Sequence, residues 1–358
     1  MNSFFFKYIR QLRGFKFFTT INEQKLYACC FVKNKNLKQM KKTINKILLA
    51  SLTGLIISSS SCKKDDAPVV TNTITDVVVN SASFSVLEEA VVKANLAATL
   101  SGTGPFTVFA PDNAAFAAAG ISSATVASLS STQLSDLLLY HTIGSKILAS
   151  AVPAGPNAKV ITAGGDSVFV TRNASGVYVN GIKVAVADIA ADNGVIHQLS
   201  KALNKPSGNI VATAQAAGSG LDSLVKAIVR ANNAPGGDPT LIATLSSATL
   251  TVFAPRNAAF TQLLAALSLT DINNIPVATL LAVLRYHVVG GRAFSSDLAN
   301  GNLAMLAGGN TTINLTNGIG GGPTIKGNGN GANLSNIVGT NLMCRNGVVH
   351  VIDRVLLP

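Results

Sequence analysis

The chain of 358 residues holds four histidines, and all four stand in short contexts that occur twice. His141 and His287 each follow a tyrosine, as Tyr140-His141 and Tyr286-His287, while His197 and His350 close the pentapeptides "NGVIH" (193–197) and "NGVVH" (346–350). Imidazole is the commonest metal ligand and general base near neutral pH, so the pattern raises metal binding or acid–base catalysis, one site per copy. A metal site needs a third ligand, and a catalytic pair needs an orienting group. Asp353 stands near His350, but its counterpart in the first copy is Ser200, and no carboxylate, cysteine or further histidine recurs beside these motifs in both copies. A core histidine that ties two segments together through backbone hydrogen bonds needs nothing more, and that is the role expected for His197 and His350. No serine lies in a G-x-S-x-G elbow, and the Gly-rich stretch 317–333 lacks the Lys-Ser/Thr ending of a phosphate loop. No catalytic, cofactor-binding or metal residue is therefore assigned. The chain is not expected to be an enzyme, with use of the histidine pairs as the competing reading.

The elements that must position these residues also occur twice. "TVFAPDNAAF" (107–116) and "TVFAPRNAAF" (251–260) differ only in Asp112 against Arg256. The offset is 144 residues at Pro111/Pro255, 146 at the Tyr-His pairs and 153 at the pentapeptides. A period this long means two whole domains. The growth falls in "NGIGGGPTIKGNGNGAN" (317–333), whose composition predicts a mobile loop or a long hairpin tip.

Within each copy, Leu87, Val91 and Ala94, and Leu224, Ile228 and Ala231, have the spacing of an amphipathic opening helix. The decapeptide reads as a strand-to-helix corner. Phe109/Phe253 and Phe116/Phe260 bury, Pro111/Pro255 stop the strand, and Asp112 or Asn113 caps the helix that follows. Asn113/Asn257 is the capping pair both copies share, and the Asp112/Arg256 exchange is expected to be exposed and without a partner. "TQLSDLLLYH" (132–141) predicts a capped helix with Leu134, Leu137 and Leu138 inward. Residues 166–189 alternate as strands, with turns at 173–176 and 180–181.

The formal charge of +12 is uneven, because residues 1–61 hold 11 Lys/Arg against one acid, and the remainder is near +2. Without Trp or a basic cluster in that body, the footprint of a nucleic-acid binder is missing. From Met40, "MKKTINKILLASLTGLIISSSSC" has the basic, apolar and small-residue order of a signal peptide, with an apolar run too short to span a bilayer. Its end resembles a bacterial lipoprotein box, with Cys62 the lipidated residue, and Lys63-Lys64-Asp65-Asp66 resembles the surface-export tag of Bacteroidetes-type lipoproteins. The expected organisation is an extension (1–39) upstream of the true start, a lipoprotein signal peptide (40–61), a tether (62–76), and domains at 77–205 and 206–358. Cys344 is then the one cysteine of the folded body and is expected to be buried as a small hydrophobe.

"TVFAP(D/R)NAAF", then "YH", then "NGV(I/V)H" resemble, in order and spacing and in both copies, the signature blocks of the fasciclin domain family. The resemblance covers roughly residues 77–358. It implies an α+β fold of two tandem domains, each a β-wedge or sandwich of about seven strands with flanking short helices. It also implies extracellular adhesion. Asp271-Ile272 and the pairs Tyr140-His141 and Tyr286-His287 resemble short motifs implicated in integrin binding by animal fasciclin proteins, and are the candidate ligand contacts. The expected function is a lipid-anchored outer-membrane protein, exposed at the cell surface, that binds matrix protein, polysaccharide or another cell. An architectural role in the envelope is the alternative. Its partners would be the membrane, through the lipid anchor, and an extracellular protein or glycan, with no cofactor and no nucleic acid.

Overall fold

The computed structural model describes residues 72–216 and 218–358. The extension, the signal peptide, Cys62 and the tether up to residue 71 lie outside the described residues. The first domain begins earlier than position 77, with helix α1 (Ile74–Val79). Thr73 and Asp76 cap each other in a capping box that starts this helix, and Ile74 is fully buried, so these residues belong to the domain and not to a tether.

Helices α2 (Ser85–Lys93) and α3 (Ala97–Leu100) follow, then strand β1 (Phe106–Pro111) and helices α4 (Asn113–Ala118), α5 (Ser123–Ser128) and α6 (Ser131–Tyr140). The rest of the domain is strand, with β2 (Thr142–Ile143), β3 (Gly155–Ile161), β4 (Ser167–Asn173), β5 (Gly176–Val179), β6 (Ile182–Ala191) and β7 (Gly194–Leu199). The two turns expected between 166 and 189 fall where β4, β5 and β6 meet. The second domain repeats the series: α7 (Ile210–Gln215), α8 (Asp222–Asn233), α9 (Leu241–Ser247), β8 (Leu250–Pro255), α10 (Asn257–Ala266), α11 (Val277–Arg285), β9 (Val288–Gly290), β10 (Gly301–Ala304), β11 (Asn310–Asn314), β12 (Thr324–Lys326), β13 (Ser335–Cys344) and β14 (Gly347–Ile352). The amphipathic helices α2 and α8 are thus the second of each domain, behind α1 and α7. In α6, Leu134 and Leu138 are buried as expected, while Leu137 is half-buried.

Each domain forms one seven-stranded sheet, in the order β2-β1-β7-β6-β5-β4-β3 and β9-β8-β14-β13-β12-β11-β10. The first long strand pairs in parallel with the last, Phe109 opposite His197 and Phe253 opposite His350. All other neighbours are antiparallel. Alternation along the decapeptide strand splits the core in two. Val108 joins Phe116, Leu134 and Ile196 under the helices, while Phe109 joins Tyr140, Val168 and Leu199 in the fold of the sheet. Cys344 is fully buried, and its thiol donates to Thr213 Oγ1 at 3.3 Å.

Three local expectations are corrected. The helix after Pro111 is capped by Asp112, whose Oδ1 accepts from Ala115 N–H at 2.7 Å, while Oδ2 accepts from Gln198 Nε2 at 2.7 Å. Asp112 is therefore partnered, whereas Arg256 at the equivalent position makes no cap bond. Asn113 and Asn257 are clamps to the preceding helix. Asn113 Oδ1 accepts from Val86 N–H and its Nδ2 donates to Ala82 O, and Asn257 Oδ1 accepts from Ser223 N–H and its Nδ2 donates to Asp222 Oδ2. The Gly/Asn-rich stretch 317–333 is more than a loop, because β12 lies inside it and pairs on both sides. Buried Asn330 then holds Val355 O and Leu357 N–H at 2.9 Å each.

The asparagine of each pentapeptide has the largest structural task. Asn193 Oδ1 accepts from Ile74 N–H at 2.9 Å, and its Nδ2 donates to Leu100 O and Gly102 O at 2.7 and 2.6 Å. Asn346 does the same with Ile210 N–H, Leu245 O and Ala248 O at 2.9, 2.9 and 2.8 Å. The glycine that follows has no room for a side chain, since a Cβ on Gly194 or Gly347 would lie 2.2 or 2.0 Å from a carbonyl of the neighbouring strand. Asn193→Ala or Asn346→Ala leaves three backbone groups unpaired, and urea unfolding should show a loss of about 3 kcal/mol for each variant. A loss near zero in both would show that these bonds do not anchor α1 and α7.

Candidate functional site

The Tyr-His pairs lie at the ends of α6 and α11, and all four residues are buried. His141 Nδ1 donates to Leu137 O at 2.8 Å, and its Nε2 accepts from Leu203 N–H at 2.9 Å. His287 repeats this with Val283 O at 2.7 Å and Leu356 N–H at 2.9 Å. Both ring nitrogens are consumed in pinning the last segment of the domain under its helix. Burial away from water holds each imidazole down at about 4, so both rings are neutral at pH 7. Tyr140 OH donates to Ser167 O and accepts from Asn180 Nδ2, and burial pushes it up to about 12. Tyr286 OH donates to Asn310 O and accepts from Asn328 N–H at 3.3 Å. The expectation that Tyr140, His141, Tyr286 and His287 contact a ligand is therefore corrected, because these side chains face the interior.

His197 and His350 stack on the phenylalanines of the adjacent strand, with ring centroids 5.7 Å apart for Phe109–His197 and 5.4 Å for Phe253–His350. His197 Nε2 donates to Ile147 O at 2.8 Å, and Nδ1 accepts from Asp188 N–H at 3.2 Å. His350 Nε2 donates to Ala293 O at 2.9 Å. Its Nδ1 is buried and has no partner among the described residues, and burial lowers its pKa. The carboxylate of Asp353 is held by Asn336 through two bonds of 2.7 Å and does not orient His350. Among the described residues, no three His, Cys, Asp or Glu side chains stand together as a metal site.

Asp271 and Ile272 differ from the other candidates. Ile272 is buried, and its carbonyl accepts from Arg230 Nη1 at 2.7 Å. Asp271 is exposed and caps the 3₁₀ turn Ile272–Asn274 through Asn273 N–H. Both line an open groove of about 730 Å³ along α8, with Lys226, Val229 and Arg230 on its wall.

A second recess lies between the two domains, at residues that the sequence reading did not single out. Phe294 is fully buried and packs with Met343 and Val348 against Phe169 of the first domain. Arg292 lies over the Phe169 ring, 4.3 Å from its centroid, and donates to Cys344 O, Gly347 O and Arg345 O. Asn341 Nδ2 donates across to Gly181 O at 3.1 Å, and Asn173 Nδ2 donates to Ser296 O at 3.1 Å. A signal for this interface was present at three positions where the copies differ. Lys146, Leu148 and Asp188 of the first copy correspond to Arg292, Phe294 and Asn341 of the second, and Leu148 is 40% exposed while Phe294 is fully buried. Beside the contact, Asn157, Lys159, Asp166, Phe169, Arg292 and Arg345 line a cleft of about 580 Å³.

The buried histidines impose a pH dependence on stability. The folded state holds His141 and His287 near 4, below the ordinary 6.5, so the unfolded chain binds more protons between these values. Stability is complete above pH 6.5 and declines as pH falls towards 4. Urea unfolding should show about 2 kcal/mol less stability per histidine at pH 5 than at pH 7. A flat profile over that window would contradict the neutral buried rings.

The family model for the fasciclin domain matches residues 82–205 and 236–358. Protein sll1483 of Synechocystis is 38% identical over 138 residues, which is 37% of this chain and 74% of that protein. Transforming growth factor-beta-induced protein ig-h3 of Sus scrofa is 37% identical over 134 residues, 37% of this chain but only 19% of that longer one. Superposition on the fasciclin domain pair of the insect cell adhesion molecule Fasciclin I covers 79% of this chain and 96% of that one, at 17% identity and a TM-score of 0.37. Fasciclin domains are typical of cell-adhesion and extracellular binding proteins. The chain belongs to the fasciclin domain family, of which it carries two domains in tandem.

Proposed function

We propose that this protein is a lipid-anchored adhesion protein of the outer membrane, exposed at the cell surface, whose paired fasciclin domains bind polysaccharide, matrix protein or another cell. The observation that carries this reading is the inward orientation of the histidine and tyrosine motifs, whose polar groups hold backbone, while the open recesses lie on the surface and between the domains. Such an arrangement suits binding over chemistry. The anchor at Cys62 lies outside the described residues, and no helix among the described residues is long and apolar enough to cross a membrane. A short lipidated tether would hold many copies at one surface, where individually weak contacts add through avidity.

Deleting the gene should lower attachment of the cells to polysaccharide- or protein-coated surfaces. The wild-type gene should restore attachment, and Cys62→Ser should not, because its product no longer fractionates with membranes. Protease treatment of intact cells should remove the protein. Attachment that is indifferent to the deletion would refute the adhesion role, and protein that survives shaving would refute surface exposure.

A further inference from the structure

The body outside the basic leader is near +2, yet four cations converge on the cleft between the domains. Lys159, Arg292 and Arg345 line it, and Lys205 pairs with its single lining carboxylate, Asp166, at 2.9 Å. Arg345 and Asp136 also act on Lys205 through charge, one opposing and one favouring its protonation. The cations differ in their freedom. Arg292 is committed to three backbone carbonyls and the Phe169 ring, so it contributes a fixed positive field. Lys159 and Arg345 are exposed, and among the described residues neither side chain has a hydrogen-bond or ion-pair partner. The hydroxyls of Ser167 and Thr249 on the same walls are likewise without partners among the described residues. Two free cations and two free hydroxyls thus face one recess, backed by an immobilised guanidinium.

We infer that this cleft binds an anionic polysaccharide, with Lys159 and Arg345 taking carboxylate or sulfate groups and Ser167 and Thr249 meeting sugar hydroxyls. The inference rests on the adhesion reading above and names its ligand class. The volume of about 580 Å³ admits more than a lone anion. An exposed ion pair contributes little alone, so a single charged sugar binds weakly and a polymer that meets both cations, on many anchored copies, binds well. The site exists once per chain, because Lys159 comes from the first domain and Arg345 from the second. Neither domain carries it alone.

The test uses the purified full chain with three probes: polygalacturonate for the carboxylate, dextran sulfate for the sulfate, and neutral dextran. At least one polyanion should bind tenfold or more tightly than dextran, and whichever binds identifies the anionic group. Binding should weaken at least tenfold at 0.5 M NaCl, since exposed pairs are screened. K159Q/R345Q should lose at least tenfold, while K146Q/R256Q, which removes the same charge elsewhere on the surface, should lose less than twofold. Unchanged thermal unfolding of both variants confirms folding, and should K159Q/R345Q fold poorly, the single variants replace it. Equal losses in the two double variants, or equal binding of dextran, would overturn the inference. Cells carrying K159Q/R345Q separate the two readings. If they attach like wild type while gene deletion abolishes attachment, the cleft falls and adhesion stands.

Discussion

The parallel pairing of β1 with β7, and of β8 with β14, is the contact on which each domain depends. It joins Phe106 to Gly194 and Leu250 to Gly347 across most of the domain's length. The entropy of closing so long a loop must be offset by what gathers at the seam. Phe109 and Phe253 stack on His197 and His350, the asparagines of the pentapeptides hold three backbone groups each, and the glycines let the strands approach. The two signature blocks are therefore neighbours in space, and their residue types answer to that contact. Their histidines are bound to backbone because a strand buried at the centre of a sheet has no solvent to offer an imidazole.

The two copies share this seam and diverge elsewhere, and the divergence makes the molecule. Asp188 and Asn341 occupy the same left-handed bulge position, at φ 59° and 61°, and each accepts a backbone N–H through its side chain. Only the amide also has hydrogens to give, and Asn341 donates to Gly181 of the first domain. The exchanges of Lys146 for Arg292 and Leu148 for Phe294 act in the same direction, supplying a stacking cation and a buried ring. A duplicated domain thus became a pair with a defined contact and a cleft beside it.

The proposed adhesion through such a pair would place its demands on surfaces. The buried polar groups set stability and its pH dependence, while Lys159 and Arg345 at the cleft are exposed and held by no structural task. This separation accounts for a chain whose most recognisable motifs say which fold it has and little about what it binds.

The sequence by itself determined the duplication, the strand-to-helix corner, the three strands between 166 and 189 and the family, because these depend on local periodicity, turn chemistry and repeated blocks. It assigned the helix cap to Asn113, the residue both copies share, because Asp112 and Asn113 both carry a suitable oxygen and only the position of α2 drew Asn113 away. It read 317–333 as a mobile loop or a hairpin tip and missed β12 inside it, because those three residues are held by strands on either side and not by their own propensity. It offered the Tyr-His pairs as surface contacts, although the terminal segments fold back over them. The cleft belongs wholly to the tertiary structure. Lys159 and Arg345 lie in different domains, and only the packing around Phe169, Arg292 and Phe294 brings them to one recess.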